Sequence, residues 1–550
     1  MNVAELVGKT LANLGVGHAF GVVGSGNFDV TNALIANGVP YTAARHEGGA
    51  ATMADAYSRT SGQIGVVSVH QGCGLTNAAT GIGEAAKSRT PMIVLAAEAA
   101  PSAVYSNFAM DQGSFSTSVY AVSERIHSAR TAVADTVRAY RRAVNDRRTV
   151  VLNLPLNIQG LEAPESPVAA EVVPAEPVRP SRAAVRALAV LIENARRPVF
   201  VAGRGGRGAK AEILALARHS GALVATSAVA KGLFNDEEFS LGISGGFSSP
   251  LAAELIAGAD LIVGFGCALN MWTMRHGRLI SEGTKVVQVD LEESALGANR
   301  RIDLGVIGDS AQSARDALEY LEAQKMPARE GYRTSAVSQQ IAEGANWSQV
   351  AYRDLSTDDR IDPRTLTKSL DELLPAERIV SVDSGNFMGY PSQFLAVPDE
   401  HGFCFTQAFQ AIGLGLYTAI GAALAQPGRL PVLGTGDGGF HMAIAELDTA
   451  VRLKLPMVCI VYNDAAYGAE VHHFGDTGTA PNMDSVTFPD TDFAAIGRGF
   501  GADGITVRKL EDLDSVASWL GSEPTGPLVI DAKIASDGGA WWLAEAFKGH

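Results

Sequence analysis

Two acidic residues, Asp437 and Asp464, stand at the ends of two apolar runs over residues 430–434 and 457–462. Between the runs lie Gly436-Asp437-Gly438-Gly439, a helical pattern over 442–453, and Pro456, which stops that helix. Strand, glycine turn, helix and strand in this order predict a βαβ unit with a right-handed crossover. Such units take ligands beyond the carboxyl ends of their strands, where both acids fall. A glycine turn and the helix N-terminus behind it offer backbone N–H groups to an anion. A phosphate beside two carboxylates calls for a divalent cation, and Mg²⁺ suits one or two carboxylates combined with phosphate oxygens and water.

The elements that must carry these residues read as three α/β units. Residues 1 to about 160 alternate helical (3–14, 50–59, 76–87) and strand (18–23, 41–44, 64–69, 92–96, 149–154) patterns. Three of the strands run into polar or glycine-rich turns: Gly24-Ser25-Gly26, His46-Glu47-Gly48-Gly49 and His70-Gln71-Gly72-Cys73-Gly74. Residues 161–182 are rich in Pro and Glu and read as an extended linker. A second unit spans about 183–325, with strands over 199–202, 223–226, 261–264 and 285–289. Residues 323–362 are polar and read as a second linker with some helix. A third unit, about 363–545, carries the acidic pair. The fold class is therefore α/β, with three doubly wound parallel-sheet domains. Lys87–Val94 and Lys454–Cys459 echo each other around Pro91 and Pro456, a weak internal repeat between the first and third units.

Composition narrows the class. The chain has 550 residues, too many for one core, with 47% hydrophobic and 19% charged residues. A net charge of −15 argues against nucleic acid or an anionic membrane as partner. Four scattered cysteines without a CxxC fit reduced thiols, and the N-terminus lacks a signal-peptide apolar region, so a cytoplasmic location is expected. No apolar run is long enough to span a bilayer.

The GDGG–helix–LP–strand–NDxxYG pattern of residues 436–468, together with RHEGGAATMADAYSR around Glu47, resembles the thiamin diphosphate-dependent 2-oxo acid decarboxylase and acetolactate synthase family. The likeness extends over about residues 1–545. It implies a pyrimidine-binding first domain (1–160), a central Rossmann-like domain (183–325) and a diphosphate-binding third domain (363–545). The cofactors implied are thiamin diphosphate and Mg²⁺, the latter held by Asp437, Asp464 and the carbonyl of Ala466. Asp464 departs from the commoner Asn. Glu47 would hydrogen-bond the pyrimidine N1′ and promote loss of the C2 proton; by its position alone it equally suits the first turn of a helix. Asn386, in the Asp383-Ser384-Gly385-Asn386 turn, would hold phosphate. Ile412 would be the apolar wedge under the bent cofactor and the Gln410 carbonyl an acceptor for its 4′-amino group, with plain core packing the other reading of Ile412. Gly436, Gly438, Gly439 and Tyr467 complete the implied cofactor contacts. The resemblance also implies a homodimer or homotetramer with active sites between subunits.

The branch within the family rests on fewer residues. Ser25 and His70 match polar positions of benzoylformate decarboxylase, and Glu470 follows Tyr467-Gly468-Ala469 as in the pyruvate decarboxylases. Ser25 also suits a helix cap, His70 a loop anchor and Glu470 a solvated helix face. The adjacent His pair of those decarboxylases is missing from the first domain, whereas His472-His473 lies in the third and is not its equivalent. The QW-type stretch of acetolactate synthases is replaced by Glu470-Val471-His472-His473. Acid–base groups of this kind suit proton traffic on a C2-bound enamine. The expected reaction is thus decarboxylation of a 2-oxo acid, carboligation, or both. Acetolactate synthase-type joining of two oxo acids is the alternative, and a non-catalytic subunit or a dehydrogenase of the central domain are more distant ones. Val201–Gly208 is glycine-rich after a strand and could hold FAD or ADP, but it lacks GxGxxG with a placed acid, so tight packing is the expectation there.

Overall fold

A computed structural model describes residues 1–164, 172–173, 175–475, 482–540 and 543. Part of the first expected linker and the end of the third expected unit lie outside these residues. The described chain forms three parallel six-stranded sheets, each flanked by helices.

In the first, β1 (His18–Gly21), β2 (Tyr41–Ala43), β3 (Gly65–Val69), β4 (Met92–Glu98), β5 (Val122–Arg125) and β6 (Thr149–Pro155) are ordered β2-β1-β3-β4-β6-β5. The second comprises β7 (Pro198–Ala202), β8 (Leu223–Thr226), β9 (Ser240–Ile243), β10 (Leu261–Phe265), β11 (Lys285–Asp290) and β12 (Leu304–Ile307), ordered β12-β11-β10-β7-β8-β9. The third has β13 (Arg378–Val382), β14 (Phe403–Phe405), β15 (Leu430–Gly436), β16 (Val458–Asn463), β17 (Asp503–Val507) and β18 (Leu528–Lys533), ordered β14-β13-β15-β16-β18-β17. The first and third sheets thus share one order, which gives the weak sequence repeat a structural counterpart. The central sheet has the order of a dinucleotide-type fold, with its switch point between β7 and β10.

The inner strands β3, β4, β6, β7, β10, β16 and β18 are buried at every residue; most read as apolar runs for that reason, whereas β18, LVIDAK, carries buried Asp531 and Lys533 and went unread in sequence. Edge strands such as β5 carry no such signal; its residues VSER are all half-buried. Two helices differ from expectation. The helix after β15 starts at Asp437, so the glycines belong to its first turn, and a 3-10 turn at Ile444–Glu446 breaks it before Leu447–Arg452. The helical stretch before Lys87 is two helices, Cys73–Asn77 and Ala79–Lys87.

The first and third domains pack face to face through the helices Glu47–Ser61 and Gly415–Ala425. Gly421 permits their contact, since a Cβ there would lie 2.2 Å from the Met53 carbonyl oxygen. In the central domain Gly203 and Gly205 press on the Gly266 backbone, where added Cβ atoms would come within 2.2 and 2.9 Å. Close packing therefore uses this turn, which also borders the large cavity described next.

Candidate active site

Parallel strands β13, β15 and β16 end side by side, and the residues just beyond them line one cavity of about 990 Å³. Asp437 opens the helix after β15. Its carboxylate accepts the N–H of Gly438 at 2.9 Å and, across the strand gap, that of Ala466 at 3.1 Å. Asp464 follows β16 beside it. Burial pushes Asp437 up to about 6, and burial with the neighbouring Asp437 carboxylate pushes Asp464 up to about 7. Two acids so placed resist ionising together, and a cation between them removes that penalty. Among the described residues no three His, Cys, Asp or Glu side chains gather as a metal site, so carbonyl, phosphate and water oxygens would complete the shell of a hard cation. The donor set fits Mg²⁺ of the kind phosphate esters and diphosphates share.

The other implied contacts surround this pair. Ala465 takes φ +59° and turns the chain back, so that Ala466 meets Asp437 and Tyr467 lies over Gly438, where a Cβ would be 2.5 Å from the ring. Gly436 faces the Phe387 ring, a Cβ there lying 3.0 Å away. Asn386 is buried; its Oδ1 accepts the Ala540 N–H at 3.0 Å, which leaves the amide NH₂ as the group able to meet an anion. Gln410 takes φ +58°. Ile412 is 39% exposed and lines the cavity, so it is no core residue. Glu470 lies half-buried on the helix Gly468–Gly475 and lines the same cavity. His472 packs against Gly539 and His473 against Phe474, and neither lines it.

Glu47, Ser25 and His70 form a separate group at the carboxyl ends of β1 to β3. Glu47 begins the helix Glu47–Ser61, capped by His46, and its Oε2 accepts from Asn77 at 3.0 Å. Ser25 Oγ lies 3.5 Å from His70 Nε2, and Phe108 meets the His70 ring edge-on at 4.9 Å. Gly74 sits between His70 and Glu47; a Cβ there would be 3.2 Å from one and 3.4 Å from the other. None of the three lines the cavity of the acidic pair. One chain therefore holds two candidate half-sites.

Three family models match this chain: the N-terminal TPP binding domain of thiamine pyrophosphate enzymes over residues 1–118, their central domain over 185–318, and their C-terminal TPP binding domain over 383–532. The chain belongs to the thiamine pyrophosphate enzymes. Among related members is a sulfoacetaldehyde acetyltransferase of Castellaniella defragrans, 28% identical over 93% of this chain and 89% of that protein. A probable 2-ketoarginine decarboxylase of Pseudomonas aeruginosa is 28% identical over 94% and 90%. An acetolactate synthase of Bacillus subtilis is 27% identical over 96% and 93%.

Several residues of this thiamine pyrophosphate enzyme shape the site without having been given a role of their own in sequence. Asp383, fully buried, accepts from the N–H groups of Ser384 (2.8 Å), Gly413 (3.0 Å) and Leu414 (3.2 Å) and from Thr435 Oγ1 (3.0 Å), tying three loops together. Gly439 and Gly415 leave room for it, with Cβ positions 2.4 and 2.6 Å from its side chain. Asn463 bridges Asp531 and the Thr491 carbonyl and accepts the Ala465 N–H, which holds the turn carrying Asp464. Gln112, equally buried, accepts the Gly72 N–H and donates to Asn153, holding the loop of His70. In sequence Asp383 and Asn463 stand in the Asp383-Ser384-Gly385-Asn386 turn and the NDxxYG pattern without a role of their own, and Gln112 looks like an ordinary loop amide.

Proposed function

We propose that thiamin diphosphate binds this chain through Mg²⁺, and that the enzyme breaks or makes the C–C bond next to a 2-oxo carbonyl. The observation that carries this is the pair Asp437–Asp464, two acids held together with raised pKa values beside the buried amide of Asn386. In this reading Asp437, Asp464 and the Ala466 carbonyl hold the cation, and Asn386 with the helix start at Gly436, Gly438 and Gly439 holds the diphosphate. Ile412 and Tyr467 bear on the cofactor's body and the Gln410 carbonyl receives its amino group. When bound, the cofactor supplies a carbon nucleophile and an electron sink for the departing carboxylate. Glu47 shares a proton with the pyrimidine N1′. Ser25, His70 and Glu470 deliver or remove protons at the substrate-derived carbons.

Glu47, Ser25 and His70 do not line the cavity of Asp437 and Asp464 in the same chain, which supports a homodimer or homotetramer in which the first domain (1–160) of one copy faces the third (363–545) of another. Exposed apolar side chains beside both half-sites support this as well: Tyr105 and Phe108 on one, Ile412 and Met442 on the other. No described helix is long and apolar enough to cross a membrane, and the four cysteines are unpaired, which suits a cytoplasmic enzyme.

We favour 2-oxo acid decarboxylation or carboligation. Ser25 and His70 form one polar group and Glu470 another, as proton delivery requires. The likeness to an acetolactate synthase over most of the chain keeps joining of two oxo acids as the second reading. Dialysed protein is expected to bind thiamin diphosphate only with a divalent cation, and then to release CO₂ from one of a panel of 2-oxo acids offered with and without aldehydes. No binding at millimolar cofactor with Mg²⁺ would end the reading; acetolactate as the sole product from pyruvate would select the second.

A further inference from the structure

The two domains that carry the half-sites grip each other in a reciprocal way. Glu446 belongs to the third domain, in the 3-10 turn that breaks the helix behind Asp437, and is fully buried. Its Oε1 accepts two consecutive backbone N–H groups of the first domain, Arg45 at 2.7 Å and His46 at 2.9 Å. The next residue is Glu47. Thr449 donates to its Oε2 at 2.5 Å, and Arg452 donates to the carbonyl of Ala43, the last residue of β2, at 2.7 Å.

Glu84 mirrors this from the first domain. It is fully buried on the helix Ala79–Lys87, and its carboxylate accepts two consecutive N–H groups of the third domain, Ala408 at 3.0 Å and Phe409 at 2.6 Å. The next residue is Gln410, two before Ile412. Arg59 donates to Glu84 at 2.8 Å and to the carbonyl of Phe405, the last residue of β14, at 3.1 Å. β2 and β14 hold the same place in their sheets. Each clamp also has a glycine that makes room for it: a Cβ on Gly49 would lie 2.8 Å from Glu446 Oε1, and one on Gly83 would lie 2.7 Å from the Phe409 ring.

We propose that Glu446 and Glu84 are reciprocal positioning residues, each fixing from the opposite domain the loop that presents a cofactor-facing group: Glu446 sets Glu47, and Glu84 sets Gln410 and Ile412. The physical case rests on two features. A carboxylate accepting paired N–H groups in a dry interface makes strong, directional bonds. The loops so held are short, and each passes directly into the group that must be placed; Gln410 does so in the left-handed region, which a loop adopts only when its surroundings impose it. At the far end of its loop the Gly413 N–H is bound by Asp383, so the Gln410–Ile412 segment is fixed at both ends by buried carboxylates from different domains. The assignment of Glu47, Gln410 and Ile412 rests on the function proposed above, but the clamp does not, and the two can be tested apart.

The chemistry of the clamps distinguishes the variants. Glu446 uses one oxygen for both N–H groups, and a hydroxyl can reverse its bond to the other, so Glu446→Gln keeps the grip. Glu446→Asp withdraws the acceptor by one methylene. Glu84 uses both oxygens, so Glu84→Gln turns an NH₂ toward the Phe409 N–H and breaks it. Backbone hydrogen exchange of full-length, cofactor-free protein, read by mass spectrometry, is expected to rise about tenfold over residues 44–48 in Glu446→Asp, to rise likewise over 407–412 in Glu84→Gln, and to match the parent in Glu446→Gln. With thiamin diphosphate and Mg²⁺ present, exchange of the cofactor's C2 proton is expected to slow at least about tenfold in Glu446→Asp with affinity retained, whereas Glu84→Gln weakens affinity by a similar factor. Parental backbone exchange in both Glu446→Asp and Glu84→Gln overturns the clamp. Raised backbone exchange with unaltered C2 exchange and affinity overturns its positioning role. Failure of the parent to bind cofactor counts against the proposed function and leaves the backbone measurement as the judge of the clamp.

Discussion

The half-sites at Asp437 and at Glu47 stand at the carboxyl ends of sheets with the same strand order, yet they solve opposite problems. The third-domain site gathers a buried and a half-buried acid whose pKa values rise to about 6 and 7, an arrangement a cation would relieve. In the first-domain site a half-buried glutamate meets one amide, and a serine and a histidine lie at the long limit of a hydrogen bond. The first arrangement suits binding and the second suits proton transfer. One sheet order serves both because the sheet sets only where the strand ends lie, while the loops decide what stands there.

The comparison predicts that mutations in the two halves fail differently. The largest effect belongs to the binding half: Asp437→Asn is expected to weaken thiamin diphosphate–Mg²⁺ binding at least about a hundredfold, as calorimetry would show, because a charged oxygen ligand is lost from a site with few protein donors. Glu47→Gln is expected to bind cofactor like the parent and lose at least about a hundredfold in kcat. A Glu47→Gln enzyme within about threefold of parental activity, a barrier change under about 0.7 kcal/mol, would remove Glu47 from the chemistry.

Smaller effects sharpen the division. His70→Ala and Glu470→Gln are each expected to slow turnover about ten- to a hundredfold at constant cofactor affinity, with substrate-derived adducts accumulating in acid-quenched samples. Unchanged adduct levels in both variants would take these residues out of proton delivery. Asp464→Asn is expected to cost only a few-fold in activity while shifting preference among Mg²⁺, Mn²⁺ and Ca²⁺. Loss of binding with all three metals would give Asp464 a role beyond a ligand.

The smallest effect concerns the metal-free protein. Both acids have folded-state pKa values above the ordinary 3.8, so between about pH 4 and pH 7 the folded chain holds protons that the unfolded chain has released. The pair's own contribution to stability is then fully present below pH 4 and is lost as pH rises to 7. Relative to metal-free Asp464→Asn, the parent's melting temperature should fall by a few degrees over that range, and Mg²⁺ at pH 7.5 should restore it. A flat profile in which neither addition nor substitution matters would show that the two carboxylates do not repel.

Much of this molecule was legible in its residues alone. Most inner strands were apolar runs because both faces of a parallel strand are buried, though β18 hid behind its buried Asp531 and Lys533, and the acids after β15 and β16 could be placed because a strand end and the turn that follows it are local events. Edge strands such as β5 escaped because a half-buried strand needs no apolar pattern. The tertiary structure alone decided which polar residues are buried. Glu84, on a helix ending in lysine, looks in sequence like a solvated side chain, but it holds Ala408 and Phe409 across the domain interface. Glu446 and Asp383 became anchors in the same way, through partners that no spacing pattern joins. Sequence carries periodicity and local turn chemistry, whereas the burial of a charge depends on which distant backbone groups fold against it.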